Sequence, residues 1–242
     1  MNLILVHPEE LCDNQHPNQA IVTLSDRRFQ HIATIHKPQK GDTLRVGILN
    51  GKLGSATVKM LSNKSITLEL NLEENPPPAL AATLLLALPR PKMLKRIIQS
   101  ITTLGIKDIY LINSYRVEKS YWQSPLLHPE ALQEQLILGL EQARDTLLPT
   151  IHLKKRFKPF VDDDLPALIG GAQCVIAHPS LSAKPCISST QKKIVAVGPE
   201  GGFIDYEVNK FNQLNFETVT LGSRILKVET AIPSLLSRLF PL

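Results

Sequence analysis

The chain has 242 residues, 43% of them hydrophobic, enough for one large or two small globular domains with full cores. Its net charge is +5 and its isoelectric point about 9.1, a basic balance that hints at a polyanionic partner. No apolar run approaches the roughly 20 residues of a transmembrane helix. The start, Met1-Asn2-Leu3-Ile4-Leu5-Val6-His7-Pro8, lacks a signal peptide's basic start and cleavage site. Cys12, Cys174 and Cys186 have no metal-ligand or redox spacing, so free thiols in a reducing cytoplasm are expected.

Residues 1–72 are expected to be all-β. Ala20–Leu24, Thr43–Leu49, Ser55–Met60 and Ser65–Leu70 are β-rich runs, and Asn50-Gly51 is a hairpin signal between two of them. Phe29, Ile32 and Ile35 predict a short helix over Asp26–His36, with Pro38 ending it. From Arg27 to Lys64 eight Lys/Arg face one acid, Asp42, a local charge of +7. A solvated surface is the ordinary account of such a run; so little counter-charge favours a polyanion. Glu73 to Ala79, with Pro76-Pro77-Pro78, is a stiff spacer.

Residues 80–242 alternate strands and helices, the pattern of an α/β domain with a largely parallel sheet. Ala82–Leu88 is a strand, and Met93–Leu104 a helix stopped by Gly105. Arg90, Lys92, Lys95 and Arg96 give that helix a cationic start, against the helix dipole, which a phosphate partner would rationalise. Lys107–Ile112 is the next strand, and Pro129–Leu147 a long helix in which Glu141 and Arg144 are spaced to pair on the surface. Lys154-Lys155-Arg156-Phe157-Lys158 is expected to be a solvated polar connection that could touch RNA. Cys174–Ala177 is a strand ending in His178-Pro179.

The last fifth of the chain organises the rest. Ile194–Val197 is a strand buried on both faces, stopped by Gly198-Pro199-Glu200-Gly201-Gly202. Asp205 offers an N-cap for a helix Tyr206–Leu214. Thr218–Leu221 leads into Gly222-Ser223-Arg224-Ile225-Leu226-Lys227, and a final apolar helix follows. Thr230 as its N-cap would place Pro233 in the first turn. Two loops thus lie past the carboxyl ends of strands, where open α/β sheets bind ligands. Glu200 at the tip of the glycine turn suits a cofactor with hydroxyl, amine or cationic groups better than a phosphate. No phosphate-binding glycine pattern occurs in the chain.

GPEGGF followed by LGSRILKVETA resembles the C-terminal signature of the ribosomal RNA small-subunit methyltransferase E family, in the SPOUT superfamily. Lys227 stands where the family has arginine, Thr102-Thr103-Leu104-Gly105 matches a helix stop without its acid, and Glu141-Gln142-Ala143-Arg144 matches a glutamate-glutamine-x-glycine-arginine segment with one residue fewer. The resemblance implies an N-terminal PUA-like RNA-binding β-barrel over 1–72, a linker over 73–79, and a SPOUT α/β domain with a trefoil knot over 80–242. It implies transfer of a methyl group from S-adenosylmethionine to N3 of a uridine in 16S ribosomal RNA, free or in the small subunit, without a metal.

Implied catalytic residues are Arg144, Glu200 and Arg224, with Glu229 a second candidate base. His178, Pro179, Gly198, Glu200, Gly201, Gly202, Leu221, Gly222, Ile225 and Leu226 are expected to hold the cofactor. Arg27, Arg28, His31, Lys37, Arg90 and Lys92 are expected to meet RNA. A homodimer through the apolar C-terminal helix is expected. A SPOUT enzyme acting on another RNA position, such as a ribose 2′-hydroxyl, and a non-catalytic RNA-binding protein are the alternatives.

Overall fold

The computed structural model describes residues 2–16, 19–180 and 183–241. The chain divides into two compact units: Met1–Pro78 with Ile137–Leu148, and Ala79–Leu136 with Pro149–Leu242.

The first unit is a six-stranded sheet. Its strands are β1 (Ile4–Val6), β2 (Cys12–His16), β3 (Gln19–Leu24), β4 (Thr43–Ile48), β5 (Leu53–Leu61) and β6 (Ile66–Glu74), in the order β1-β4-β5-β6-β3-β2. Only β1 and β4 run parallel; the other neighbours are antiparallel. β6 shows how the sequence fixes the register: Ile66, Leu68, Leu70 and Leu72 are buried at a period of two, with polar residues between them. They close a core with Val22, Leu24, Phe29, Ile32, Val46 and Val58. β6 runs on through Glu73 and Glu74, residues the sequence assigns to the spacer, and Glu74 pairs with Arg45 of β4.

Between β3 and β4 lies α1 (Arg27–His31), capped by Asp26, whose carboxylate accepts from the Arg28 N–H at 2.9 Å. The helix then widens into a π-turn over Ile32–His36 and stops at Lys37 in the left-handed region, one residue before Pro38.

The second unit is a seven-stranded sheet in which every neighbouring pair is parallel. In chain order its elements are β7 (Ala82–Ala87), α2 (Pro91–Thr103), β8 (Asp108–Ile112), α3 (Pro129–Ala143), whose last turns belong to the first unit, and β9 (Thr150–Lys154). A helical run follows, α4 (Phe157–Pro159) to α5 (Leu165–Ile169), then β10 (Gln173–Ala177), β11 (Lys184–Pro185), β12 (Lys193–Val197), α6 (Asp205–Gln213), β13 (Glu217–Thr220) and α7 (Val228–Leu239). The sheet order is β11-β13-β10-β12-β7-β8-β9. Every residue of β7 and β12 is buried, as expected of central strands covered on both faces.

Three expectations need correction. The basic stretch 154–158 is not an open connection: Lys154 ends a strand, and Phe157 is buried with its ring edge-on to Phe211. Asp205 does not cap α6; Ile204 is the N-cap residue, and Glu207 reaches back to accept its N–H at 3.0 Å. α7 begins after Lys227, not Thr230, so Pro233 is its sixth residue and deprives the Glu229 carbonyl of its helical partner. Such a proline costs about 3 kcal/mol. Burial of Val228, Ile232, Leu235, Leu236 and Leu239 offsets it. Those side chains, with Phe240, are buried within the chain itself, with α7 packing on α2.

Lys193 opens β12 fully buried. Its ammonium donates to the Ser189 carbonyl (3.1 Å), the Gln191 carbonyl (3.3 Å) and the Ser189 hydroxyl, and lies 4.6 Å from the centre of the Phe240 ring. With the Ser189 N–H donating to the Leu239 carbonyl, this ties the chain entering β12 to the end of α7.

Candidate active site

In a parallel sheet every carboxyl end points the same way, so the loops after neighbouring strands gather at one edge. Here the loops after β10, β12 and β13 enclose a cleft of about 260 Å³. Ala177-His178-Pro179, the glycine turn from Gly198 to Phe203, and the loop from Leu221 to Leu226 form its walls, and Val228 and Ala231 of α7 close it.

The glycine turn is shaped by two contacts. Gly202 sits at φ 73°, a conformation that costs other residues energy, and donates to the Pro199 carbonyl at 2.7 Å. At Gly201 a Cβ would stand 2.9 Å from Cδ of Arg116, and the Arg116 guanidinium donates to the Gly201 carbonyl. The Glu200 carboxylate accepts from the backbone N–H of Arg90 at 3.3 Å. Arg90 is the N-cap residue of α2, so Glu200 supplies the anion that the start of this cationic helix lacks in its own first turn.

His178 holds the opposite wall. Its backbone N–H donates to the Val219 carbonyl at 3.2 Å, while its ring Nδ1 is buried without a hydrogen-bond partner among the described residues. Burial holds the imidazole below its ordinary value of 6.5, so the ring is neutral at neutral pH. A buried polar atom left unpaired is costly unless a ligand completes it. On the third wall, Thr220 Oγ1 accepts from the Gly222 N–H at 3.2 Å and the Arg238 guanidinium donates to the Leu221 carbonyl at 3.3 Å. Arg224 is exposed and lines the cleft.

All ten residues expected to hold the cofactor line this cleft, as do Glu200 and Arg224. Arg144 does not: it belongs to the other unit. There it follows α3 at φ 56°, and the next N–H, of Asp145, donates to the Leu140 carbonyl at 3.1 Å. That is the closing bond of a Schellman motif, with arginine in the position glycine usually takes. Nor does Arg144 pair with Glu141. Glu141 is buried, and Arg27 donates both of its terminal nitrogens to it, at 2.9 and 3.0 Å.

Arg27 is therefore held in a bidentate ion pair. Arg28 is buried, donating to Glu10 (2.8 Å), to Asp26 and to the Leu5 carbonyl (2.7 Å). His31 and His36 lie edge-to-face at 5.7 Å, and Lys37 is exposed. Arg90 and Lys92 are exposed at the start of α2.

Arg116 is the cleft residue that the sequence did not disclose. It lies four residues past β8, in a stretch without glycine or motif. What places it is Glu207, buried in the first turn of α6. Its carboxylate accepts from the Ser114 hydroxyl at 3.1 Å and the Tyr115 N–H at 2.8 Å, and the same carboxylate caps Ile204. One buried side chain so fixes the loop carrying Arg116 against the helix that follows the glycine turn.

The sequence pattern of the RNA methyltransferase domain family matches residues 75–240. A protein of Treponema pallidum named Ribosomal RNA small subunit methyltransferase E is 30% identical over 236 residues, 96% of this chain and 87% of that protein. A Synechocystis protein of the same name is 28% identical over 231 residues, 94% of this chain and 73% of its own. The crystal structure of a Ribosomal RNA small subunit methyltransferase E from Neisseria gonorrhoeae bound to S-adenosyl methionine has the same fold. Its TM-score is 0.74 at 21% identity, covering 98% of this chain and 94% of that one. On a domain match across most of its length and a relative aligned nearly end to end, the chain belongs to the ribosomal RNA small subunit methyltransferase E family of RNA methyltransferases.

Proposed function

We propose that the protein transfers a methyl group from S-adenosylmethionine to N3 of a uridine in 16S ribosomal RNA, free or in the small subunit, in the cytoplasm. The observation that carries this reading is the cleft itself, which combines Gly198–Gly202, Leu221–Leu226 and the unpaired buried Nδ1 of His178. These residues suit the cofactor's chemistry. Val197, Val219, Leu226 and Val228 offer apolar walls to a planar base, and His178 offers one polar atom at depth. The turn carries a carboxylate rather than a phosphate cradle, and Arg116 and Arg224 supply cations for a carboxylate or for an anionic substrate.

S-adenosylmethionine supplies an electrophilic methyl group on a sulfonium. The chain has to remove the N3 proton and steady the negative charge that spreads to O2 and O4 of uracil. Arg224 and Arg116 are the cations lining the cleft for that charge, and Glu200 is the carboxylate lining it for the proton. Glu229, in the first turn of α7, is the second candidate base.

The first unit serves in this reading as a PUA-like RNA-binding domain, with His31 and the exposed Lys37, Lys40, Lys52 and Lys64 as its surface. The second is a SPOUT domain with a trefoil knot. A homodimer through the C-terminal helix α7 is part of the proposal.

Calorimetric titration of the purified chain with S-adenosylmethionine tests the cofactor site. Binding is expected for the wild type and should be lost in Gly201→Val, whose side chain must displace Arg116. A well-folded wild type that does not bind, or a Gly201→Val variant that methylates ribosomal RNA at the normal rate, would overturn the assignment.

A further inference from the structure

The second unit contains another cavity, of about 280 Å³, outside the cleft. Trp122, Gln123, Leu127, His128, Leu153 and Lys155 line it, and none of its lining residues is a carboxylate. Trp122 lies in a single 3-10 turn, Lys119–Gln123, and its indole N–H donates to the Asn113 side-chain oxygen at 2.8 Å. That bond fixes the ring plane. Asn113 is itself held by its N–H to the Lys154 carbonyl, 2.9 Å, at the end of the sheet edge. The wall opposite is Leu153 and Lys155, at the end of β9.

Lys155 is the charged side chain among those lining this cavity. Lys154 is neutralised by Asp164 at 2.9 Å. Lys155, Arg156 and Lys158 are exposed and make no ion pair among the described residues. An immobilised indole beside unpaired cations is the combination that binds single-stranded nucleic acid: a base stacks on the ring and the backbone phosphates meet the cations. A duplex cannot use it, because its bases are already stacked and paired.

We infer that this cavity is a nucleobase subsite, in which one unpaired base of the RNA stacks on Trp122 while Lys155, with Arg156 and Lys158, meets the adjoining phosphates. The inference rests on the reading of the protein as one that acts on RNA. Asn113 and Arg116 lie on the same loop, so a strand seated on Trp122 would be held by the segment that also supplies a wall of the cleft.

Trp122 is the only tryptophan in the chain, so intrinsic tryptophan fluorescence reports this site alone. The protein is titrated with a single-stranded oligoribonucleotide and with the corresponding duplex. Saturable quenching by the single strand and little by the duplex is expected. Lys155→Glu keeps the reporter and should move the quenching midpoint several-fold higher, with S-adenosylmethionine binding by calorimetry unchanged. Trp122→Ala should weaken single-strand binding by fluorescence anisotropy about tenfold. Trp122→Phe, which keeps an aromatic face, should retain most of it and controls for folding.

RNA that binds and is methylated without changing the fluorescence would overturn the subsite and leave the proposed function standing. So would a folded Trp122→Ala variant with wild-type affinity. A fluorescence change that follows protein concentration rather than RNA would assign the cavity to a second copy of the chain and overturn the inference. Failure to bind any RNA, with S-adenosylmethionine still bound, would count against the RNA-directed reading itself.

Discussion

Replacing Glu207 by Gln keeps the shape of the side chain and removes one of its two acceptor oxygens. The native carboxylate takes three donors, Ser114 Oγ, Tyr115 N–H and Ile204 N–H, at 2.8 to 3.1 Å in a buried setting. If the new amide nitrogen faces Tyr115, that backbone N–H loses its acceptor. If it faces the other pair, Ile204 loses its own, while the Ser114 hydroxyl can turn and accept. Either way at least one backbone donor is left buried and unpaired. A hydrogen bond to a charged group contributes about 1.5–3 kcal/mol, so a loss of about 2 kcal/mol is expected. For a chain of this size that lowers the melting temperature by about 4–8 °C.

The consequence for function is separable. Arg116 rides on the loop that Glu207 fixes, so cofactor affinity should fall by about tenfold, equivalent to 1.4 kcal/mol, even where the variant is fully folded. Thermal melting followed by calorimetric titration at a temperature well below the transition measures the two effects. A Glu207→Gln variant that melts with the wild type and binds S-adenosylmethionine equally well would refute the argument that this carboxylate positions the cleft. Ser114→Ala, which removes a side-chain donor and leaves both backbone bonds, should cost only about 1 kcal/mol.

Other residues give further outcomes. Arg28 holds the carboxyls of Glu10 and Asp26 below their ordinary values of 4.5 and 3.8; for Glu10 its hydrogen bond is the main cause, while for Asp26 burial is the largest single effect and pushes upward, outweighed by the side-chain bond, the backbone bond and the charge of Arg28 together. Depressed carboxyl values add stability above the unfolded-state values, and the addition is lost as pH falls through the folded ones. Arg28→Met should therefore destabilise at neutral pH by about 3 kcal/mol, and urea melts should show a flatter acid limb below pH 4.5 than in the wild type. Arg144→Gly removes a left-handed conformation worth about 1–2 kcal/mol against glycine's extra unfolded freedom, so stability should rise by up to about 1 kcal/mol. Retained methyl transfer in that variant would exclude Arg144 from catalysis, and a stable but inactive variant would place it there. Burial lowers the Lys193 ammonium from 10.5, so the penalty on its charged form fades as pH rises through the folded value. The stability of the wild type relative to Lys193→Met should accordingly improve in urea melts from neutral pH towards 10.5. Glu200→Gln retains an acceptor for the Arg90 N–H but cannot take a proton; loss of turnover by at least a hundredfold at saturating S-adenosylmethionine is expected if it is the base.

What was legible in the sequence was local. The glycine turn and Leu221–Leu226 announced themselves because a buried apolar run stopped at glycine, and the parallel sheet then brought both loops to one cleft. The residues that escaped are those whose meaning depends on a distant partner. Arg116 acquires its place from Glu207 and Gly201, some ninety positions on. Glu141 looked like the surface mate of Arg144 because helix spacing allows it, yet a bidentate bond from Arg27, 114 positions away, outcompetes a single exposed pair. Arg28 looked like part of a basic surface because its neighbours in sequence are basic, while Glu10 and Leu5 bury it. β1 escaped because three residues are too short for a periodic signal, and β9 because its end, Lys154, opens a run of basic residues that reads as a polar connection.

The order of strands explains why the cleft draws on so much of the chain. β12 is formed late in the sequence but lies between β10 and β7. A loop leaving the carboxyl end of such an inserted strand is flanked by segments laid down earlier: His178 after β10 on one side, Arg90 after β7 on the other, with Arg116 after β8 reaching in beyond it. A glycine turn on an edge strand would have one neighbour and an open side. Here each contact constrains a different atom of the turn, the Glu200 carboxylate through the Arg90 N–H and the Gly201 carbonyl through Arg116. The turn is thus fixed before any ligand arrives, and little of the binding energy need be spent ordering it. The third wall, from Leu221 to Leu226, is tied at its start by the Arg238 bond to the Leu221 carbonyl, and among the described residues β13 has only the two-residue β11 beyond it. Its exposed Arg224 and Ile225 are the parts of the cleft free to adjust to a bound molecule, against a glycine turn that is already set.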